Sequence, residues 1–219
     1  MKNEKTTLKI LCPKIPEKLD IVELSRNKMK DEDVFTVGIV YDCTIENQIA
    51  EHVTFKQIIF KNVDFRNISF KFLDLTDVRF ENCDLSNLDL SSAIIHRAEF
   101  LNCKIIGISL GDSTLRNVIF QCCNGKYAFF RFSTFRNVSF KDCLLQNTDF
   151  AESDFSNVGF EHSSLQQAQM SGTKLNGIDF SNCDIEGLGI RLEDLYGAIV
   201  SPIQAVSLSK NIGLVIKEE

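Results

Sequence analysis

The side chains best equipped for chemistry are eight cysteines, at positions 12, 43, 83, 103, 122, 123, 143 and 183. Thiols can close disulfides, hold zinc or act as nucleophiles. Zinc sites use closely spaced pairs, but the chain has no C-x-x-C, and adjacent Cys122 and Cys123 are poorly spaced as ligands. The three histidines, His52, His96 and His162, are scattered and form no nucleophile–base arrangement. No enzyme is expected, and neither a metal nor another cofactor is implied. The spacing carries a different message. The cysteines at 43, 83, 103, 123, 143 and 183 are separated by multiples of twenty. The phrase "FENCDL" at 80–85 also returns one hundred residues later as "FSNCDI" at 180–185.

A shorter period lies inside the longer one. From Phe55 to Val200 there are thirty positions divisible by five, and all but Gly125 hold Phe, Leu, Ile, Met or Val. Fourteen of the eighteen Phe fall in this set. The residue two places earlier is usually small or β-branched, as at Val53, Ile58, Cys103 and Val118, and the intervening residues are largely polar. Neither a helix nor a plain strand buries every fifth residue. A short strand followed by a corner does, because residues two apart share one face. Four such units make a coil of twenty residues. Stacked coils then align Phe60, Phe80, Phe100, Phe120, Phe140, Phe160 and Phe180 on one inner wall and the cysteines on the next. The cysteines read as small, reduced, inward spacers.

The 219 residues suffice for one domain with a substantial core. No apolar run approaches the ~20 residues of a membrane span. The opening "MKNEKTTLKILCPKIPEKLD" lacks the apolar stretch and cleavage site of a secretory signal, so a cytoplasmic protein is expected. Three parts follow: an N-terminal capping segment (1–34), the repeat (35–200) and a C-terminal segment (201–219). The register of five is strong from 53 and weaker over 35–52. In that stretch Phe35, Val37, Ile39, Tyr41, Cys43 and Ile45 alternate as in an ordinary strand. Ser201-Pro202-Ile203-Gln204 starts a helix, with Ser as N-cap and Gln at the capping-box position, which runs to about Lys210 or Asn211. The closing "GLVIKEE" reads as an apolar, strand-like stretch.

The phrases "CDLSNLDLSSA" (83–93) and "CDIEGLGI" (183–190) resemble the pentapeptide-repeat family. The resemblance implies an all-β fold: a right-handed quadrilateral parallel β-helix, here with a short C-terminal capping and dimerisation helix. The helix followed by "GLVI", with "CNGKYAFFRFSTF" (123–135) and "LCPKIPEKL" (11–19), is similar to the Qnr-type quinolone-resistance group, in its chromosomal form from Gram-positive bacteria. That likeness implies a homodimer joined through its C-terminal ends. It further implies a DNA mimic that binds DNA gyrase and topoisomerase IV and protects them from fluoroquinolones. Ile203, Val206, Leu208, Ile212, Leu214, Val215 and Ile216 would form the dimer interface. The register never breaks, so no projecting loop is expected.

Charge gives this reading a physical side. Residues 142–200 hold ten acids against Lys174 and Arg191, a local −8, whereas 52–141 hold twelve bases and eight acids. An acidic dimer centre would repel nucleic acid, so no direct nucleic-acid binding is expected, and would attract a basic protein saddle. Asp149, Glu152 and Asp154 face outward around one corner, with Asp112 and Asp194 in the same columns two coils away. These five are the candidate DNA-mimic acids. The segment "KYAFFRFSTFRNVSFK" (126–141) resembles a basic aromatic platform, but the register turns Phe130, Phe135 and Phe140 inward. Phe72, Tyr127, Phe129 and Phe132 remain outside as a candidate partner contact. The second reading is a repeat scaffold for another protein.

Overall fold

The computed structural model describes residues 8–24, 28–210 and 213–217. One sheet of eight parallel strands coils around the core in sequence order. The strands are β1 (Asp20–Ile21), β2 (Val34–Glu51), β3 (Thr54–Lys71), β4 (Asp74–Glu81), β5 (Ile94–Leu101), β6 (Thr114–Gln121), β7 (Thr134–Lys141) and β8 (Asp154–Glu161). From β2 onward each strand pairs with the next at an offset of twenty residues, for example Phe35 with Phe55 and Phe100 with Phe120. From β4 on, the strands cover two walls. The other two are held by single bridges, such as Asp84 to Lys104 and Asp89 to Ser109.

The corners explain the period. Every fifth residue from Glu32 to Gly177 has a positive φ, between 48° and 81°. For most L-residues this left-handed region costs roughly 1–2 kcal/mol, and Asn and Asp tolerate it best. Ten corners are Asn. On the outside, Asn amides hydrogen-bond from coil to coil, as from Asn102 to Asn82 (2.7 Å) and from Asn157 to Asn137 (2.7 Å). The corner series already includes Val37, Asp42 and Asn47, so the repeat begins with the first residues of β2. The plain alternation expected over 35–45 is therefore corrected: Val37 is a corner, and Tyr41 lies outside.

Inside, the phenylalanine series stacks with near-parallel rings 4.7–5.7 Å apart from Phe60 to Phe180. The small inward residues have a second task. The carbonyls of Phe60, Phe80, Phe100, Phe120, Phe140 and Phe160 each accept from a thiol or hydroxyl twenty-three residues later, and a second wall repeats the arrangement. Cys103 Sγ donates to Phe80 O (3.5 Å), Cys123 Sγ to Phe100 O (3.2 Å), Ser133 Oγ to Leu110 O (2.8 Å) and Thr173 Oγ1 to Phe150 O (2.7 Å). A buried carbonyl without a donor is costly, which explains why these slots favour Cys, Ser and Thr. Gly125, the exception among the large inward slots, is covered by Ile105 and Leu145 of the adjoining coils.

Past Val200 the helix α1 (Pro202–Ser209) closes the stack. Its capping box is formed: Ser201 Oγ accepts from Gln204 N–H (3.3 Å), and Ser201 N–H donates to Gln204 Oε1 (2.8 Å). Gln204 Nε2 also donates to Phe180 O (2.8 Å) and Cys183 O (2.7 Å). It supplies the donor that a further coil would have brought to Phe180. The expected C-terminal strand does not form, because residues 213–217 have no strand pairing.

The register gives a stability test. Phe120→Ala should cost about 3–5 kcal/mol through cavity formation. Phe132→Ala, at an exposed left-handed corner, should cost less than about 1 kcal/mol. Urea denaturation of both variants measures the contrast, and equal losses would contradict the inward register.

Candidate functional site

A solenoid of this regularity offers its outer walls and its ends, and most of the candidate acids lie on the walls. Asp149 Oδ1 accepts from the backbone of Ala151 (2.8 Å), and Oδ2 lies 3.8 Å from Arg131. Glu152 pairs with Arg191 at 2.7 Å, and Asp154 with Arg136 at 3.2 Å. Each of these carboxylates has a basic neighbour. Asp194 is buried: its Oδ2 accepts from the backbone N–H of Gly172 (2.8 Å) and Arg191 (3.4 Å). It therefore secures a 3-10 turn (Leu192–Leu195) instead of facing outward, which corrects the expectation for that residue. Asp112 stays exposed at its corner.

Further toward the C-terminus the balance changes. Two of those pairs and that of Glu161 borrow a base (Arg131, Arg136, Lys141) from the preceding basic stretch. Asp184, Glu186 and Glu193 are exposed; the bases within these coils are Lys174 and Arg191, the latter held by Glu152, and Lys210 follows at the end of the capping helix. The last coils therefore present exposed acids with few bases in their own walls. These three acids were not singled out from the sequence, although the missing bases were the signal for them.

The aromatic residues do stand outside. Tyr127 is 63% exposed, Phe132 54%, Phe72 45% and Phe129 39%. Three of them, Phe72, Tyr127 and Phe132, occupy left-handed corners where a bulky side chain is disfavoured. The register thus does not bring the four together as one cluster: Phe72 stacks on His52 at 4.8 Å, three coils away from Phe132, whose ring lies under the Arg131 guanidinium at 5.0 Å. Phe129 lies across the open face of Gly111, where a Cβ would meet its ring.

At the C-terminal end Ile203, Val206, Leu214, Val215 and Ile216 are exposed, as are Leu192, Tyr196 and Ile199 beside them. Leu208 differs. It packs against the chain's own core, so it serves the cap and not an outer face. Ile212 lies outside the described residues.

A family profile described as "Pentapeptide repeat region" matches residues 73–150 and 128–190. A second, "Pentapeptide repeats (8 copies)", matches 51–87. The chain belongs to the pentapeptide-repeat family. Among curated proteins nothing matches it. Among solved structures it is similar to QnrB1, a plasmid-mediated fluoroquinolone resistance protein, at 15% identity over 83% of this chain and 100% of that one, with a TM-score of 0.46. It is also similar to HetL, a pentapeptide-repeat protein involved in heterocyst differentiation regulation in the cyanobacterium Nostoc sp. strain PCC 7120. There the identity is 14% over 77% of this chain and 87% of that one, with a TM-score of 0.32.

One feature of this pentapeptide-repeat chain was not legible in advance. The N-terminal segment Leu8–Val22 does not simply cover the first coil. It runs as a strap along one wall, from β8 back to β2. Leu11 N–H donates to Asn117 Oδ1 (3.3 Å), Lys14 N–H to Asp77 Oδ1 (2.9 Å), and Gln57 Nε2 to Lys14 O (2.9 Å). β1 then pairs with Gly38 and Ile39 of β2. The strap buries Asp77, Glu99 and Asn117, all in outward slots. Burial alone would raise the Asp77 carboxyl, but hydrogen bonds from Arg97 and the Lys14 N–H hold it below the usual carboxylate range. The alternation of Leu8, Ile10, Pro13 and Ile15 was the available signal.

All the cysteines are free, and no group of three or more His, Cys, Asp or Glu among the described residues is arranged to hold a metal ion. Cys83, Cys103, Cys123 and Cys143 are buried, which keeps reagents away from their sulfur atoms. In the native protein a thiol reagent should therefore modify Cys12 and Cys122, which are exposed, within minutes. Cys83, Cys103, Cys123 and Cys143 should react only on unfolding. Mass spectrometry of labelled peptides checks this, and native labelling of the buried four would contradict the packing.

Proposed function

We propose that this chain is a DNA-mimicking, non-enzymatic protein that binds DNA gyrase and topoisomerase IV and protects them from fluoroquinolones. It would act as a homodimer joined through its C-terminal ends. The supporting observation is the acidic field of the last coils beside an exposed apolar end. Joined at that end, two chains would bring both sets of Asp184, Glu186 and Glu193 toward the middle of one rod. Ile203, Val206, Leu214, Val215 and Ile216 supply the apolar surface that such a junction needs. Stacked coils about 4.8 Å apart make each arm roughly 40 Å long, so the dimer extends about 80 Å with its acid concentrated centrally. A concave basic saddle that normally grips duplex DNA is the complementary partner.

The sequence supports the choice of partner through the Qnr-like segments 11–19 and 123–135 and the helix with its "GLVI" tail. The outward acids at 149, 152 and 154 belong to the same surface, but Arg131, Arg191 and Arg136 partly neutralise them. Their contribution is therefore secondary to that of the last coils. The exposed aromatics, Phe129 and Phe132 in particular, flank the acidic half and would add apolar contact.

Two triple variants test this ordering. Asp184→Asn/Glu186→Gln/Glu193→Gln should weaken retention of gyrase and topoisomerase IV by tenfold or more. Asp149→Asn/Glu152→Gln/Asp154→Asn should weaken it only a few-fold. Both should remain folded by circular dichroism and dimeric by sedimentation. Surface plasmon resonance on purified subunits, with a ciprofloxacin cleavage assay, reads the effect. If the wild-type protein bound neither topoisomerase, the remaining reading would be a scaffold for another protein.

A further inference from the structure

The strap is held in a way that says what its wall can bind. The contacts to it from the wall's corners are made to main chain. Asn117 and Asp77 accept from N–H groups, and Gln57 donates to a carbonyl. None of them depends on which side chain the strap carries at that position. At Gly159 a glycine replaces the larger residues of the same outward column, which include Ile59 and Ile119. A Cβ at Gly159 would collide with the Leu8 side chain, and one at Gly38 with Val22. The wall thus offers an apolar seat for Leu8 at Gly159 and main-chain-reading groups beyond it, while Val22 packs over Gly38 against the core of the first coil.

The same wall is suited to stand empty. Arg97 holds Asp77 through two bonds of 2.5 and 2.6 Å, and Arg79 holds Glu99 at 2.7 Å, so both charge pairs lie within the wall itself. Lifting the strap returns paired, hydratable groups to water and strands no charge. The corner column makes the comparison internally: Asn117, beneath the strap, is 3% exposed, whereas Asn157, in the same slot and conformation beyond the Asn117–Leu11 contact, is exposed. The strap itself keeps Leu8, Ile10, Pro13 and Ile15 partly covered, while Lys9, Leu11, Cys12 and Lys14 stay outside. Pro13 and Pro16 favour an extended backbone and have no N–H to satisfy.

We propose that this wall is a binding site for extended polypeptide, filled in cis by the chain's own residues 8–22. The ligand class is an extended segment with apolar residues alternating toward the wall and a free N–H and C=O near its middle. Attachment in cis benefits from a high effective concentration, so a segment in trans binds only when the strap is loosened. This site is independent of the acidic C-terminal surface and of the identity of any topoisomerase partner.

The test uses full-length protein and a fluorescein-labelled synthetic peptide of residues 8–24. In the strap variant Leu8→Ala/Lys14→Pro, the apolar seat is vacated and the N–H that Asp77 accepts is removed. Fluorescence anisotropy should show the peptide binding this variant at least tenfold more tightly than wild type. Adding Gly159→Val, which fills the Leu8 seat, should reduce that binding by tenfold or more. Equal binding to wild type and strap variant, no binding to either, or indifference to Gly159→Val would overturn the proposal. Hydrogen exchange on the wild-type protein gives an answer even if the variant fails to fold. The Leu11 and Lys14 amides should exchange at least tenfold faster than the ladder amides of β5 and β6. Exchange of all of these at one common rate would show that the wall never opens, and would overturn it too.

Discussion

A left-handed corner at every fifth residue is the constraint on which the rest of the structure depends. It fixes which side chains face inward, because the two residues flanking each short wall point the same way between corners. It also fixes the coil at twenty residues, so that every inward residue meets its own kind one turn away. Adding or deleting one residue would turn each later Phe outward and place a polar residue in the core. That penalty explains why the register holds without a slip, and why so many corners are Asn, the L-residue that accepts a positive φ at least cost. The carbonyls closed by Cys, Ser and Thr are a consequence of the same geometry. They recur at a separation of twenty-three because the coil has twenty residues and the small slot follows the large one by three.

The sequence displayed this part of the structure openly, since a repeat writes its packing into residue types. The Phe stack, the reduced cysteine column and the outward positions of Tyr127 and Phe132 all follow from counting in fives. The capping box at Ser201 was equally plain, because its two hydrogen bonds are local. What counting cannot supply is the relation between residues that do not share the repeat. Asp194 sits in an outward slot by register, yet the chain departs from the regular corner there and folds the carboxylate against Gly172. Leu208 belongs to a short helix that also exposes Ile203 and Val206, and its orientation is set by Gln204 reaching into the last coil.

The strap was hidden for the same reason. Residues 8–22 lie outside the period, and their partners at 57, 77, 117 and 159 are linked to them by no local rule. The alternation of Leu8, Ile10, Pro13 and Ile15, and the glycine at 159 among larger residues in its column, were the hints that something passes over that wall. The candidate surface was intermediate in this respect. Net charge by region could be read directly, but the pairing of Glu152 with Arg191 depends on two side chains meeting across coils. That pairing moves the centre of the acidic field toward the chain's end, next to the apolar residues that would join two copies.

The acidic rod is proposed to occupy the surface of a topoisomerase that otherwise holds duplex DNA. Displacement of a fluorescent duplex from purified gyrase, titrated with this protein at several DNA concentrations, tests it most directly. The account predicts competitive displacement, with the midpoint rising in proportion to DNA and the protein's affinity falling steeply with added salt. A ternary complex in which gyrase holds the duplex and this protein together, at undiminished affinity for both, would contradict it.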